Sequence, residues 1–300
     1  MPNGPQLSSD RLRFSTVTVG AQSIRLAEGG ARRAQRTLLL FNGIGASIET
    51  VADFAARFER TRVVTFDVPG VGDSPAPMLP YRLREIARLA AAVLDQLGLE
   101  QVDVFGVSWG GAAAQEFAIR YPRRCRTLTL AATSAGFVML PGQLRVLRRL
   151  LSPRRYFDPA HLMRIGGELY GGVLRTEREL LRVHAYALRC PSQVGYLYQL
   201  LAAWGWTSWH KLHRIQAPTL ILMGADDPIV PPVNGRILAA RLRHATVETI
   251  DCGHLFVLTR PGEIARRVEQ FLAQPVRAKV NINLQRAANA ASAAETGDAS

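Results

Sequence analysis

Ser108 lies in Gly106-Val107-Ser108-Trp109-Gly110, between the apolar run that begins at Val102 and the stretch Ala112 to Ile119, whose apolar residues recur at three- and four-residue spacing. The run reads as a buried strand and the stretch as a helix. A serine forced into so tight a strand-to-helix turn has a strained backbone, and side chains two residues before and after it would collide. Glycine at 106 and 110 removes them. The turn presents a hydroxyl at a helix N-terminus, where free N–H groups and the helix dipole stabilise negative charge. Such a site suits acyl transfer.

A serine hydroxyl is a weak nucleophile without a base, and the base needs a carboxylate to fix its tautomer. Of the six histidines, His161, His184, His210 and His213 fall in or beside a helical stretch, and His244 ends a polar helix. Only His254 directly follows a strand and a glycine, in Asp251-Cys252-Gly253-His254. The acid is expected at another strand end, between serine and histidine in chain order. The loop Gly224-Ala225-Asp226-Asp227-Pro228 offers two neighbours, of which Asp227 is preferred to Asp226, whose alternative role is a loop hydrogen bond. Asp103, within the nucleophile strand, and Asp251, beside the histidine, are outside candidates. An oxyanion needs two donors. The backbone N–H of Trp109 is one, and that of Ile44, in the turn Asn42-Gly43-Ile44-Gly45, is the expected second.

These residues require strands that end near one another. Residues 13 to 19 and 23 to 26 read as a hairpin, and 28 to 36 as a loop. Short apolar runs at 37 to 41, 62 to 66, 102 to 107, 127 to 131, 219 to 223 and 246 to 250 read as strands. Helical patterns at 48 to 58, 83 to 97, 112 to 119, 234 to 242 and 263 to 272 alternate with them. The alternation predicts an α/β fold with a mostly parallel sheet flanked by helices, its ligand site at the carboxyl ends of the strands. It lapses from about 141 to 213, a helical, arginine-rich and aromatic stretch that reads as an inserted cap. The expected organisation is a core of 1–136 and 214–274, a cap of 137–213 and a disordered tail of 275–300 rich in Ala, Asn and Ser. Dinucleotide binding is excluded, because Ile48 occupies the third glycine position after Gly43 and Gly45 and no phosphate-loop motif occurs.

The chain carries 37 basic against 24 acidic residues, a formal charge of +13, with Lys211 and Lys279 its only lysines. Arginine replacing lysine on solvated helix faces accounts for this as well as attraction to a polyanion does. No zinc-finger, basic-region or RRM-type pattern accompanies the charge, so no nucleic-acid partner is expected. No apolar run reaches membrane-span length and the N-terminus lacks a signal-like core, which points to a cytoplasmic protein. Cys125, Cys190 and Cys252 are widely spaced and read as buried small hydrophobes.

The ordered glycine turn, Gly-x-Ser-x-Gly, Gly-x-x-Asp and Gly-His resemble the α/β-hydrolase superfamily over residues 14 to 272. Within it the chain is similar to intracellular depolymerases of medium-chain-length polyhydroxyalkanoates. The segments that carry the similarity are FNGIGA (41–46), FDVPGVG (66–72), GVSWGGAAAQ (106–115), LAATSAG (130–136), SPRRY (152–156), GWTSWHKLH (205–213) and DCGHLF (251–256). Asn42-Gly43 departs from the His-Gly of many superfamily members, but the depolymerases share the asparagine. The resemblance implies ester hydrolysis in a storage polyester by an enzyme attached to the granule, with Ser108, Asp227 and His254 as nucleophile, acid and base. It implies no metal or organic cofactor.

An acyltransferase, a soluble-ester hydrolase or a silent granule-coating protein uses the same fold, and the intact triad argues against the last. Carbon–carbon hydrolases share the core, but the cap segments point away from them. Side-chain length, endo or exo attack and oligomeric state are not fixed by the sequence. The cap is the expected contact with the polymer: residues 141 to 190 hold ten arginines and four acids, and Trp206 and Trp209 are candidate substrate-binding rings beside Trp204. The alternative is that the tryptophans pack the cap onto the sheet and the arginines solvate its helices.

Overall fold

The computed structural model describes residues 11–274 apart from 153 and 189–191. The tail expected at 275–300, Cys190 and Pro153 of the SPRRY segment lie outside the described residues. Eight strands form one sheet: β1 (Arg13–Val19), β2 (Gln22–Gly30), β3 (Arg36–Phe41), β4 (Thr61–Phe66), β5 (Val102–Val107), β6 (Cys125–Ala131), β7 (Thr219–Gly224) and β8 (Ala245–Ile250). Their order is β1-β2-β4-β3-β5-β6-β7-β8. The β1–β2 and β2–β4 pairs are antiparallel and the remaining pairs parallel.

The inner strands are buried and mostly apolar because both sheet faces are covered. Leu39 and Phe41 of β3, Val102 and Val104 of β5, and Ile221 and Met223 of β7 enter one core cluster. Leu38 and Leu40, Phe105 and Val107, and Leu220 and Leu222 enter the other. The period of two sends alternate side chains to opposite faces. Helices α1 (Ala52–Ala56), α2 (Leu83–Gln96) and α3 (Trp109–Arg120) follow β3, β4 and β5, while α9 (Val233–Ala239), α10 (Phe256–Thr259) and α11 (Pro261–Ala273) follow β7 and β8.

Between β6 and β7 run α4 (Leu144–Leu151), α5 (Arg154–Phe157), α6 (Pro159–Tyr170), α7 (Arg178–Ala187) and α8 (Gln193–Ala203). This segment bonds to the loops after four strands. The Tyr156 hydroxyl donates to the Ile44 carbonyl (2.5 Å), and the Gly45 N–H to Gln199 Oε1 (2.7 Å). The Trp109 indole donates to the Gln199 carbonyl (2.9 Å), Arg175 to Asp226 (2.9 Å), and the His254 N–H to the Tyr170 carbonyl (2.7 Å).

Several boundaries differ from the sequence reading. The polar stretch Glu28-Gly29-Gly30 belongs to β2, because all three residues pair with β4 and Glu28 also pairs with Arg13 of β1. The helix expected over 48 to 58 divides into a 3₁₀ turn, Ile48–Val51, and the short α1. Helix α3 starts at Trp109, directly on the serine.

Candidate active site

Ser108 links β5 to α3 with φ 55° and ψ −120°, in the left-handed half of conformational space that a side chain disfavours. The elbow is held by close packing. A Cβ at Gly106 would stand 2.5 Å from the Gly110 carbonyl oxygen, and one at Gly110 would stand 2.2 Å from that of Phe41. The Ser108 N–H donates to the Ala131 carbonyl (2.9 Å), and the Ser108 carbonyl accepts from the Thr133 hydroxyl (2.8 Å). These bonds tie the strained residue to the neighbouring strand.

His254 Nε2 is 3.0 Å from Ser108 Oγ and its Nδ1 is 2.7 Å from Asp227 Oδ2. The carboxylate selects the tautomer with a proton on Nδ1, so the Nε2 lone pair faces the serine hydroxyl. Both residues are buried, at 4% and 5% exposure. Asp227 Oδ1 accepts the N–H groups of Ile229 and Val230, each at 2.9 Å, which satisfies the buried carboxylate and fixes its direction.

The adjacent Asp226 turns the other way. It is exposed and accepts from Arg175 (2.9 and 3.0 Å) and from the Gly172 N–H (2.8 Å). The hydrogen bonds from Arg175 hold its carboxyl below the ordinary aspartate range. Asp103 is consumed by Arg36 (2.6 and 2.8 Å) and the Thr127 hydroxyl (2.8 Å) inside the sheet, and Asp251 is exposed.

In the turn after β3, the Gly43 N–H is used by Asn42 Oδ1 (2.8 Å) and the Gly45 N–H by Gln199. The Ile44 N–H between them has no partner among the described residues. The Asn42 side-chain amide bonds to the Ser47 carbonyl (2.8 Å) and Thr50 hydroxyl (2.9 Å), which keeps the turn open toward Ser108. The Trp109 N–H begins α3, where the first N–H groups of a helix are free of intrahelical bonds.

A cavity of about 630 Å³, counted out to its open mouth, contains Ser108 and His254 and is lined mainly by apolar residues. Trp206 and Trp209 are not among its lining residues. The Trp206 indole N–H donates to Glu116 (2.9 Å), and Trp209 packs under the Arg241 guanidinium at 5.1 Å. Each ring has found a polar partner at the edge of the core. Their neighbour Trp204 is 85% exposed.

The sequence reading missed Arg155 and His184, both buried and both lining this cavity. Burial, the nearby Arg155 and His254 push His184 down to about 3, so its imidazole is neutral. The SPRRY segment pointed to the Arg155 neighbourhood only through resemblance; arginine in an arginine-rich helical stretch carries no sign of burial.

A sequence profile for the α/β-hydrolase fold matches residues 36–261. The chain belongs to the α/β-hydrolase family. It is 49% identical over 262 residues to the poly(3-hydroxyalkanoate) depolymerase of Ectopseudomonas oleovorans, covering 87% of this chain and 93% of that one. It is 26% identical to 3-oxoadipate enol-lactonase 2 of Acinetobacter baylyi, over 85% of this chain and 96% of the other. Among solved structures, the enol-lactonase of Burkholderia xenovorans superposes with a TM-score of 0.75 at 21% identity, covering 87% of this chain and all (100%) of that one. This last likeness is one of fold. In this α/β-hydrolase no helix of the described residues is long and apolar enough to cross a membrane.

Proposed function

We propose that the chain is a serine hydrolase that cleaves ester bonds of an intracellular medium-chain-length polyhydroxyalkanoate, releasing 3-hydroxyalkanoic acids or short oligomers. The observation that carries this reading is the 49% identity to a poly(3-hydroxyalkanoate) depolymerase over 262 residues, too long a match to be confined to the sheet and its flanking helices.

In the proposed mechanism His254 takes the Ser108 proton through Nε2 as Oγ attacks the ester carbonyl. Asp227 holds the ring and stabilises the imidazolium that forms. The N–H groups of Ile44 and Trp109 receive the oxyanion. His254 then protonates the departing alkoxide, activates a water and returns the proton to Ser108 as the acyl-enzyme is hydrolysed. The 3.0 Å and 2.7 Å contacts along Ser108, His254 and Asp227 support these roles.

Residues 137–213 act as the cap, and 1–136 with 214–274 as the catalytic core. We place the enzyme in the cytoplasm at the granule surface. An exposed apolar stripe supports this: Val194, Leu197, Leu201 and Trp204 follow one another at three- and four-residue spacing along and just beyond α8. Met78 and Leu79 are exposed beside it, since the Tyr198 hydroxyl donates to the Met78 carbonyl (3.2 Å). A polyester surface would cover such a stripe.

The test is incubation with medium-chain granules, short-chain granules and a soluble nitrophenyl ester, with and without coenzyme A. Release of 3-hydroxy acid from medium-chain granules without coenzyme A supports hydrolysis. Dependence on coenzyme A turns the assignment to acyl transfer, and activity on the nitrophenyl ester alone rejects a polymer substrate.

A further inference from the structure

Arg155 is 3% exposed, and no carboxylate lies within ion-pairing distance of it among the described residues. Its guanidinium reaches three phenols instead: Tyr156 at 2.5 Å, Tyr170 at 3.3 Å and Tyr196 at 3.5 Å. It also stands over the rings of Tyr156 and Tyr196, at 4.5 and 5.8 Å. Neutral hydroxyls and ring faces attract a cation without cancelling its charge, and a buried unpaired charge is costly. Among the described residues the buried Nε–H has no acceptor, and both ring nitrogens of His184 are likewise unpartnered. Two buried groups with unused hydrogen-bonding capacity, one of them cationic, thus line the wall of the cavity that contains Ser108.

Resting on the polyester reading above, we propose that Arg155, with His184 beside it, is the subsite for the free carboxylate at the end of the polyester chain, so that cleavage proceeds from the carboxyl terminus. Arginine's planar fork suits a carboxylate, and a neutral imidazole can donate one further N–H. The position is appropriate. Tyr156 accepts from Arg155 and donates to the Ile44 carbonyl at 2.5 Å, so a single phenol separates the cation from the turn proposed to hold the oxyanion. In a 3-hydroxyacyl chain the terminal carboxylate is separated from the last ester oxygen only by a carbinol and a methylene carbon, a matching short reach.

The chemistry closes on itself. Ser108 Oγ forms a bond to the last ester carbonyl, and the bond from that carbonyl to the terminal unit's oxygen breaks. The proton held by His254 passes to the departing oxygen, releasing one 3-hydroxyalkanoate from Arg155. Water then cleaves the acyl-enzyme, and the shortened chain leaves with a new carboxylate, itself a substrate for the same subsite.

The experiment compares a 3-hydroxyoctanoate dimer and trimer as free acids with the same oligomers as methyl esters at the terminal carboxyl, measuring cleavage of the internal ester. The wild type should favour the free acids in kcat/KM by about tenfold or more, as expected for a charge-assisted pair, and Arg155→Met should bring the ratio to within about twofold. Equal cleavage of acid and ester by the wild type, or an undiminished preference in Arg155→Met, overturns the subsite. Because Arg155→Met removes a buried side chain and can unfold the protein, inhibition of the wild type gives an independent reading: 3-hydroxyoctanoate should compete about tenfold better than its methyl ester, and equal inhibition overturns the proposal. Failure to cleave either oligomer or granules, with nitrophenyl ester hydrolysis intact, rejects the polyester reading and the subsite together. Equal cleavage of both oligomers rejects the subsite alone.

Discussion

The backbone N–H of His254 donates to the carbonyl of Tyr170 at 2.7 Å, so the loop carrying the proposed base is fastened to the end of helix α6. A few residues along, Arg175 grips Asp226, the neighbour of the carboxylate that orients the same histidine. The helical segment and the loops of the candidate active site are therefore joined beside His254 and Asp227.

The two adjacent aspartates separate cleanly by experiment. In the proposed mechanism Asp227→Asn removes the charge that stabilises the imidazolium, and it should lower kcat by on the order of 10⁴. Asp226→Asn loosens an exposed ion pair of the kind that contributes about 0–1 kcal/mol, and should change kcat only a few-fold. Steady-state kinetics on a soluble ester decides, and a reversed order of effects rejects Asp227 as the acid.

Glycine at 110 is required by contact, and its replacement should be expensive. Gly110→Ala drives a methyl group to 2.2 Å from the Phe41 carbonyl oxygen and should lower unfolding free energy by about 1–3 kcal/mol or more. Gly98 follows α2 at φ +65° with nothing within 4 Å, so Gly98→Ala should cost only about 1 kcal/mol. Urea unfolding of the two variants measures the contrast; equal losses contradict it.

Burial of neutral His184 makes the fold sensitive to acid. Its folded pKa, about 3, lies below the ordinary 6.5, so the stability it contributes is present above pH 6.5 and is lost as pH falls from there toward 3. The wild type should lose stability relative to His184→Gln between pH 7.5 and 5.5, by at most about 1.4 kcal/mol per unit below pH 6.5. Asp67 acts in the opposite sense: burial raises it to about 6, so its contribution is full below 3.8 and fades as pH rises through 6. Both proteins carry Asp67, and the comparison removes it. A pH-independent difference between them contradicts the assignment.

Granule contact should depend on the exposed ring. Trp204→Ala should weaken sedimentation with medium-chain granules, full burial of a large apolar side chain being worth on the order of 2 kcal/mol. Trp206→Ala and Trp209→Ala act on rings already engaged by Glu116 and Arg241 and should affect stability first. Undiminished binding by Trp204→Ala, with soluble-ester hydrolysis intact, removes the stripe from the account.

The legible and hidden parts of the site differ in physical kind. Ser108 and His254 were marked by glycines beside apolar strands, because close backbone approach leaves a trace in residue type. The parallel sheet was readable from alternating short apolar runs and helical periods. The extension of β2 through Glu28-Gly29-Gly30 was not, since pairing with β4 overrides a polar composition. Arg155 was invisible for a related reason: its burial arises from tyrosines gathered out of α5, α6 and α8, which no local pattern records. The partners of Trp206 and Trp209 were hidden as well, because ring type indicates a large amphipathic surface without telling which wall it meets.

The acyl-enzyme is the most direct test. Acid-quenched reactions with a 3-hydroxyoctanoate oligomer can be followed by intact-protein mass spectrometry in the wild type and in Ser108→Ala. A transient adduct of 3-hydroxyacyl composition is expected on the wild type, localised to the peptide containing Ser108, with neither adduct nor turnover in Ser108→Ala. Turnover that persists in Ser108→Ala, or an adduct on another residue, would contradict an acyl-enzyme on Ser108.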